Sequence, residues 1–251
     1  EYSYISGDIA AAYTDKAKEV LRSMLFMPID IADCKGVLFV ADKITVKKPE
    51  FKKTFLLHTL QEPTVIGNAT LVENTIYEHR GAMQMHTLLP QNSRLDKIGG
   101  EGQEFMINGV NYPLLKPIDP ASAIEAGAWR IEATPSDASY TDYFFIVLVV
   151  GELDINQKPI KVELIETNML MGAQIFNRVC LFNKNAERVA ENVVFDTLAC
   201  DAILKVLVAG LSEGDLDIFA DGEKIATATS LKDGGVVYFD APSGRIELVR
   251  K

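Results

Sequence analysis

Short apolar or alternating segments separated by polar turns run along most of the chain and predict β-strands. Gly36 to Val46 and Lys53 to Gln61 flank the polar turn at residues 47–50, as two successive strands would. Strands recur about every ten residues without intervening helices, so the pattern predicts an antiparallel β-sandwich rather than a βαβ fold. The other predicted strands are Val20–Pro28, Ala69–Glu78, Met83–Leu89, Ala128–Thr134, Tyr140–Val150, Pro159–Glu166, Ala173–Phe182, Arg188–Asp196 and Ile203–Val208.

Two Asp-Gly pairs near the end of the chain predict tight hairpin turns, at residues 220–223 and 232–235. Such a pair supplies the positive backbone angles that a two-residue hairpin turn needs. A soft boundary between residues 192 and 200 separates this compact tail from the rest. We therefore predict an all-β fold, with a large antiparallel, supersandwich-like β-sandwich over residues 1–195 and a small C-terminal β-sheet subdomain over residues 196–251.

The segment from Asp8 to Leu25 leaves two structures open. Three successive alanines at residues 10–12 and the residues 16–21 favour a helix, for which Asp8 would be the N-cap. Tyr13 and the alternation beyond Val20 favour a strand instead, and pairing with a neighbouring strand often overrides local preference.

Composition excludes several classes of protein. Apolar residues make up 48% of the 251 residues and charged residues 24%, which is ordinary for a globular chain. No apolar run approaches the roughly 18 to 20 residues that span a bilayer, so we expect no membrane span. The formal net charge of −10 has the wrong sign for a general nucleic-acid binder, so we expect no nucleic-acid partner.

Motifs for metal or nucleophilic chemistry are missing from the sequence. Its three histidines and three cysteines show none of the short spacings of a metal site. It also contains no Gly-x-Ser-x-Gly elbow and no phosphate-binding loop of the P-loop type, and the glycines at residues 99–102 predict a loop with unusual backbone angles. We therefore assign no catalytic residue, no metal ligand and no cofactor to this chain.

Two strands carry candidate ligand-binding side chains. On the first, His58 shares a face with Leu56 and Leu60, which leaves open a core position or a substrate-facing one. On the strand Met83–Leu89, alternation places Gln84 and His86 on one face. We expect that face to be open to solvent or to a groove, which makes Gln84 and His86 candidates for ligand contact.

Five lysines form the only local concentration of basic residues. They could bind carboxylates or sulfates of an acidic polymer, and Lys52 and Lys53 are the candidates for this role. Alternatively, they keep the protein soluble and protect a strand edge from pairing. The five are Lys43, Lys47, Lys48, Lys52 and Lys53.

An ordered series of short groups between residues 7 and 150 carries a resemblance to a known family. The groups are Gly7-Asp8-Ile9 with Tyr13, Arg22 with Leu25-Phe26, Val37–Asp42, Lys52–His58, Glu62-Pro63, Leu88–Pro90, Gly99–Gly102 with Phe105, Gly109–Pro113, Trp129–Glu132 and Asp142–Phe145. In this order they resemble the C-terminal β-sandwich region of the heparinase II/III-like polysaccharide lyases. Residues 151–251 resemble the terminal strands of the same family through much weaker motifs.

The resemblance implies an intact enzyme in which an N-terminal α/α-toroid precedes this sandwich and which cleaves uronate-containing polysaccharides by β-elimination. In that reaction the uronate carboxylate is neutralised, a Tyr or His base removes the C5 proton, and an acid protonates the departing O4. The family's catalytic groups, and a structural metal held by two His and an Asp, are implied to lie upstream of the residues present here. His58 matches a family histidine, but the match assigns it no catalytic role.

Two functional hypotheses follow. In the first, the chain is the lyase's C-terminal sandwich, lines the cleft for an acidic polysaccharide, needs the toroid as its partner and is inactive alone. The resemblance then implies a periplasmic or secreted protein, and Glu1 is not expected to be the natural start of the chain. In the second, the chain is a free-standing carbohydrate-binding or structural module without catalysis. Exposed aromatic residues usually bind the sugar in such modules, and Trp129 is the only tryptophan available.

Overall fold

The computed structural model describes residues 2–13, 15–75, 80–112 and 128–251, and within these it contains strands and two short 3₁₀ helices. The end of the predicted strand Ala69–Glu78 lies outside the described residues. The 3₁₀ helices are Ala10–Tyr13 and Leu153–Gln157. The strands are β1 (Ser3–Asp8), β2 (Ala17–Ile31), β3 (Cys34–Val46), β4 (Phe55–Thr59), β5 (Thr64–Ile66), β6 (Ala69–Asn74), β7 (Gly81–Leu89), β8 (Ser93–Gly99), β9 (Met106–Ile107), β10 (Val110–Asn111), β11 (Trp129–Pro135), β12 (Thr141–Gly151), β13 (Val162–Glu166), β14 (Leu170–Ile175), β15 (Arg178–Asn183), β16 (Val193–Asp196), β17 (Leu204–Ala209), β18 (Gly214–Ala220), β19 (Glu223–Ser230), β20 (Val236–Ala241) and β21 (Arg245–Arg250).

Four sheets are stacked as layers, and one apolar cluster fills each of the three spaces between them. A three-stranded sheet (β4-β11-β8) packs on a seven-stranded sheet (β1-β2-β3-β12-β7-β6-β5). The other face of the seven-stranded sheet packs on a five-stranded sheet (β13-β14-β15-β17-β20). A four-stranded sheet (β16-β21-β18-β19) covers the far side of the five-stranded sheet. The prediction of an all-β sandwich is confirmed.

Strand β12 shows why the longest apolar run of the sequence lies in the interior. Phe145 and Val147 point into the cluster shared with the five-stranded sheet, whereas Ile146 and Leu148 point into the cluster shared with the three-stranded sheet. Because both faces of this strand are covered, both sets of alternating positions are apolar.

The segment that was open between helix and strand contains one 3₁₀ turn, at Ala10–Tyr13, and strand, which resumes at Ala17 as β2. Chain reversal between β1 and β2 takes one 3₁₀ turn, and Asp8 stabilises the reversal by accepting hydrogen bonds from the amides of Ala10 (2.8 Å) and Val20 (3.2 Å). Pairing on both sides decides the outcome, since β2 is hydrogen-bonded to β1 and to β3. Its residues Leu25 and Met27 are buried in the cluster beneath the five-stranded sheet.

Turn chemistry located the chain reversals of the tail but not always the sheets that they join. Residues 220–223 form the predicted hairpin between β18 and β19, with positive φ angles of 48° at Asp221 and 83° at Gly222. The hairpin predicted at residues 232–235 is wrong, because this turn leads from β19 of the four-stranded sheet to β20 of the five-stranded sheet. The boundary between residues 195 and 196 stays a prediction, and strands from both sides of it build the five-stranded sheet.

Candidate functional site

Gln84 and His86 lie inside the molecule. Both share a face with Leu88 as predicted, but that face is wholly covered, so the expectation of an open face is wrong: the relative exposure is 0% for Gln84 and 3% for His86. The Gln84 amide donates to the carbonyls of Ile155 and Lys158, and its oxygen accepts from the amide of Ile160 at 2.7 Å. These bonds tie β7 to the connection between β12 and β13.

His86 lies beside Gln84 in this interior. Its Nε2 lies 3.1 Å from Oε1 of Gln84. Burial lowers the pKa of His86 from 6.5 to about 4, so its ring is neutral at neutral pH. Neither Gln84 nor His86 is placed to touch a ligand.

Lys53 is also internal and already paired. Its ammonium lies 2.9 Å from a carboxylate oxygen of Asp142 and donates to the carbonyl of Ser139. The pair joins the segment before β4 to β12, and removing one partner of such a buried pair is costly. Lys52, the adjacent residue, is exposed, and its ammonium lies 3.0 Å from a carboxylate oxygen of Glu132.

The outer face of the three-stranded sheet carries a groove of about 510 Å³, in which Lys52 and His58 come together. Cross-strand pairing aligns its side chains in rows. His58 on β4 and Ile98 on β8 flank Arg130 on β11. In the next row, Leu56 and Asp96 flank Glu132, while Phe55, Leu57 and Ile131 face the core.

Glu132 is the electrostatic centre of the groove. It accepts hydrogen bonds from Lys52 (3.0 Å) and from Arg130 (2.9 Å). Burial raises the pKa of Glu132, but the hydrogen bonds and charges of Lys52 and Arg130 outweigh this effect and lower the pKa below 4.5. Glu132 is therefore ionised at neutral pH.

Basic groups are in excess in the groove. Arg94, beside Asp96 at 2.8 Å, is the third cation of the lining. The lining thus holds the cations Lys52, Arg94 and Arg130 against the carboxylates of Asp96 and Glu132. This excess is local, because the whole chain carries −10.

A small hairpin forms an apolar wall of the groove. Met106 and Ile107 of β9 line it, and the carbonyl of Met106 accepts a hydrogen bond of 2.6 Å from Arg130. Ile107 is 55% exposed and Leu56, on the floor, is 50% exposed. Apolar surface beside a few fixed polar groups is the usual lining of a ligand site.

Sequence reasoning predicted Lys52 and His58 as ligand-binding side chains of this groove and missed its four other charged side chains. Arg94, Asp96, Arg130 and Glu132 alternate with core residues on β8 and β11, so the period of each strand carried a signal. What alternation does not give is the order β4-β11-β8, which brings them beside His58.

Trp129 is half-buried, and its ring lies against Gly100 and beneath the ammonium of Lys97 at 5.5 Å.

No group of three His, Cys, Asp or Glu residues in the part of the chain that the structure describes is arranged to hold a metal ion. No helix among the described residues is long and apolar enough to cross a membrane.

Comparison with known families finds a match in the second half of the chain. The family model of the heparinase II C-terminal domain matches residues 164–250. The match covers the five- and four-stranded sheets, whereas the motifs seen in the sequence are concentrated before residue 150. It supports the resemblance to a heparinase II/III-like C-terminal region. No match was found among curated proteins.

Proposed function

We propose, from the heparinase II C-terminal domain that residues 164–250 match, that this chain is the C-terminal β-sandwich region of a heparinase II/III-like polysaccharide lyase. The match carries the proposal, and the groove on the three-stranded sheet supports it. In the intact enzyme the chain contacts an acidic, uronate-containing polysaccharide and forms one wall of its cleft. A periplasmic or secreted location belongs to the same proposal.

The proposed role in binding rests on the charge of the groove. Lys52, Arg94 and Arg130 exceed the carboxylates of the lining, so carboxylates or sulfates of a glycan gain electrostatic stabilisation there. His58 lies in the same row as Arg130 and adds ring nitrogens for hydrogen bonds to the sugar. Ile107 and Leu56 supply apolar surface for the ring faces of the sugar units.

The proposed division of labour leaves the elimination chemistry to other residues of the intact enzyme. The base that removes the C5 proton, the acid that protonates O4 and the structural metal belong to the toroid and to the strands before this region. We therefore expect these 251 residues alone to form no unsaturated uronate product that absorbs in the ultraviolet, whereas a chain that includes the toroid forms it. Strong activity of the 251 residues alone would contradict this division.

Charge variants of the groove test the binding role directly. Lys52→Gln removes a cation, so the Kd for a heparin oligosaccharide should rise, on the order of threefold to tenfold at low salt. Glu132→Gln removes the anion that neutralises Lys52 and Arg130, so the Kd should fall by a similar factor. Both differences should shrink as salt is added, since exposed charges are screened. Isothermal titration calorimetry measures them.

Lys205→Gln is the matched control for this experiment. Like Lys52, Lys205 is a partly exposed lysine paired with one carboxylate, that of Asp240 at 2.6 Å, but it lies on the five-stranded sheet. Its loss should leave heparin binding unchanged. Equal effects of Lys52→Gln and Lys205→Gln would mean that overall charge, and not the groove, binds the polymer.

A further inference from the structure

A second cavity, of about 230 Å³, lies beside the groove. Its lining includes Arg22 of β2 and Asp42 of β3, which point to the same face of the seven-stranded sheet as Met24 and Val40. That is the face on which the three-stranded sheet packs. Lys52 lines both the cavity and the groove, so the two spaces meet at this residue.

Basic side chains are in excess in the lining of this cavity. Asp42 is the one carboxylate among the described residues that line it, and it stands against four cations. This excess is local, because the whole chain carries a net charge of −10. The four cations are Lys16, Arg22, Lys52 and Lys53.

Ion pairs neutralise three of these four cations. Two of the partner carboxylates lie outside the described lining, and the third is Asp42. Lys16 is exposed and forms no ion pair with a carboxylate of the described residues, so one positive charge stays uncompensated. The three pairs are Arg22–Asp42 (2.6 Å), Lys52–Glu132 (3.0 Å) and Lys53–Asp142 (2.9 Å).

Arg22 keeps free donors although it is paired. A guanidinium group carries five N–H donors in a fixed plane. Nε, at 2.8 Å, and Nη2, at 2.6 Å, each donate to one carboxylate oxygen of Asp42. The second N–H of Nη2 and those of Nη1 point away from Asp42 and make no hydrogen bond to a residue that the structure describes. We call them the free edge of Arg22.

This free edge suits an oxyanion. Two parallel N–H groups of an arginine match two oxygens of a carboxylate, phosphate or sulfate. The Arg22 side chain is 37% exposed, whereas that of Asp42 is 2% exposed. A group that enters from solvent therefore meets the guanidinium, while the carboxylate behind it holds the guanidinium in place.

We propose that this cavity binds one anionic group, a sulfate or a carboxylate, through the free edge of Arg22 and the ammonium of Lys16. Arg22 supplies directed donors, and Lys16 supplies the uncompensated charge. The identity of the carrier rests on the proposed function: the anionic group belongs to the glycan unit next to the one in the groove. Because the two spaces meet at Lys52, the chain then recognises two anions along one polymer.

NMR of the ¹⁵N-labelled chain with inorganic sulfate tests the cavity without the polymer. The signal is the side-chain Nε–H resonance of Arg22, titrated with sodium sulfate and with sodium chloride at equal ionic strength. We expect a saturable shift with sulfate, with a Kd on the order of 10 mM. Lys16→Gln should raise this Kd about threefold. Sodium acetate, titrated in the same way, shows whether the site also takes a carboxylate.

Lys18→Gln is the matched control for Lys16→Gln. Lys18 is also exposed and lies two residues further along the chain. Its ammonium lies 6.0 Å from the ring centroid of Tyr140, and Lys18 does not line the cavity. Its loss removes the same charge and should leave the sulfate titration unchanged. A response of Arg22 to sulfate no larger than to chloride, or equal effects of the two variants, would overturn the assignment.

Calorimetry with a heparin oligosaccharide separates this inference from the proposed function. Lys16→Gln should raise the Kd for heparin about threefold, whereas Lys18→Gln should not. If sulfate does not bind at Arg22 but heparin binds in the groove, the cavity inference is wrong and the proposed function stands. If sulfate binds at Arg22 and heparin does not bind, the proposed function fails alone. If both bind but Lys16→Gln leaves heparin binding unchanged, recognition of two anions along one polymer is wrong.

Discussion

At the scale of single residues, the buried histidine has a measurable consequence for stability. His86 has a pKa of about 4 in the folded chain and 6.5 as the ordinary value expected on unfolding. Above pH 6.5 neither state is protonated at this site, so the stabilisation is complete. As pH falls from 6.5 to about 4, only the unfolded state binds the proton, and the free energy of unfolding decreases. The total loss is about 3 kcal/mol, and it does not grow below pH 4.

Replacing His86 by Gln removes this proton while keeping a hydrogen-bonding side chain beside Gln84. Urea unfolding at a series of pH values should show a smaller loss of stability between pH 6.5 and 4 for His86→Gln than for the parent. His58→Gln serves as the control, because His58 is exposed on the outer sheet. If His86→Gln keeps the full pH dependence of the parent, the ring is not held neutral in the folded chain.

At the scale of elements, periodicity predicted which segments are strands but not which faces are covered. Alternation correctly placed Gln84 and His86 on one face of β7. That face is interior because the connection at residues 153–160, more than seventy residues later, and β13 cover it, and no local pattern encodes a layer so distant in sequence. The same reason explains Arg130 and Glu132. Their alternation was visible, whereas their meeting with Lys52 depends on β11 lying between β4 and β8.

Glycine-rich turns were easier to predict, because their chemistry is local. The predicted unusual angles at residues 99–102 are confirmed by φ values of 146° at Gly99 and 84° at Gly100. A Cβ on Gly100 would also lie only 3.0 Å from the ring of Trp129. Local conformation and one close contact therefore explain this loop without a ligand.

The three hydrogen bonds between Gln84 and the backbone of residues 155–160 give a prediction for the connection between β12 and β13. Gln84→Leu keeps the shape of the side chain but leaves the carbonyls of Ile155 and Lys158 and the amide of Ile160 without this partner. We expect a loss of about 2 to 4 kcal/mol in the free energy of unfolding. Hydrogen exchange at residues 153–160 should also speed up more than elsewhere.

Gln174→Leu is the matched control for Gln84→Leu. Gln174 is equally an internal glutamine that binds backbone, but it holds the amide (2.7 Å) and carbonyl (3.1 Å) of Leu198. Its replacement should speed exchange near residue 198 and leave residues 153–160 protected. If hydrogen exchange instead speeds up uniformly along the chain in both variants, neither glutamine stabilises the backbone segment to which it is bonded in particular.

At the scale of the whole molecule, the seven-stranded and five-stranded sheets are each covered on both faces. If the stack were divided between these two sheets, each half would therefore expose an apolar face to water. The five-stranded sheet contributes Phe182 and Met171 to the cluster shared with the seven-stranded sheet. Phe182 also lies 6.0 Å, centroid to centroid, from the ring of Phe145 on β12. The part of the chain that matches the heparinase II C-terminal domain therefore depends on the preceding strands to cover one face.

A fragment of residues 159–251 should consequently expose the apolar face that the seven-stranded sheet covers. We expect this fragment to bind the dye ANS and to self-associate, because exposed apolar patches of this kind drive association. In the 251-residue chain, Phe182→Ala should lower the melting temperature of the whole stack in one transition, at a cost of about 3 to 5 kcal/mol. A monomeric fragment that binds no ANS and melts at the temperature of the full chain would show instead that the two halves fold independently.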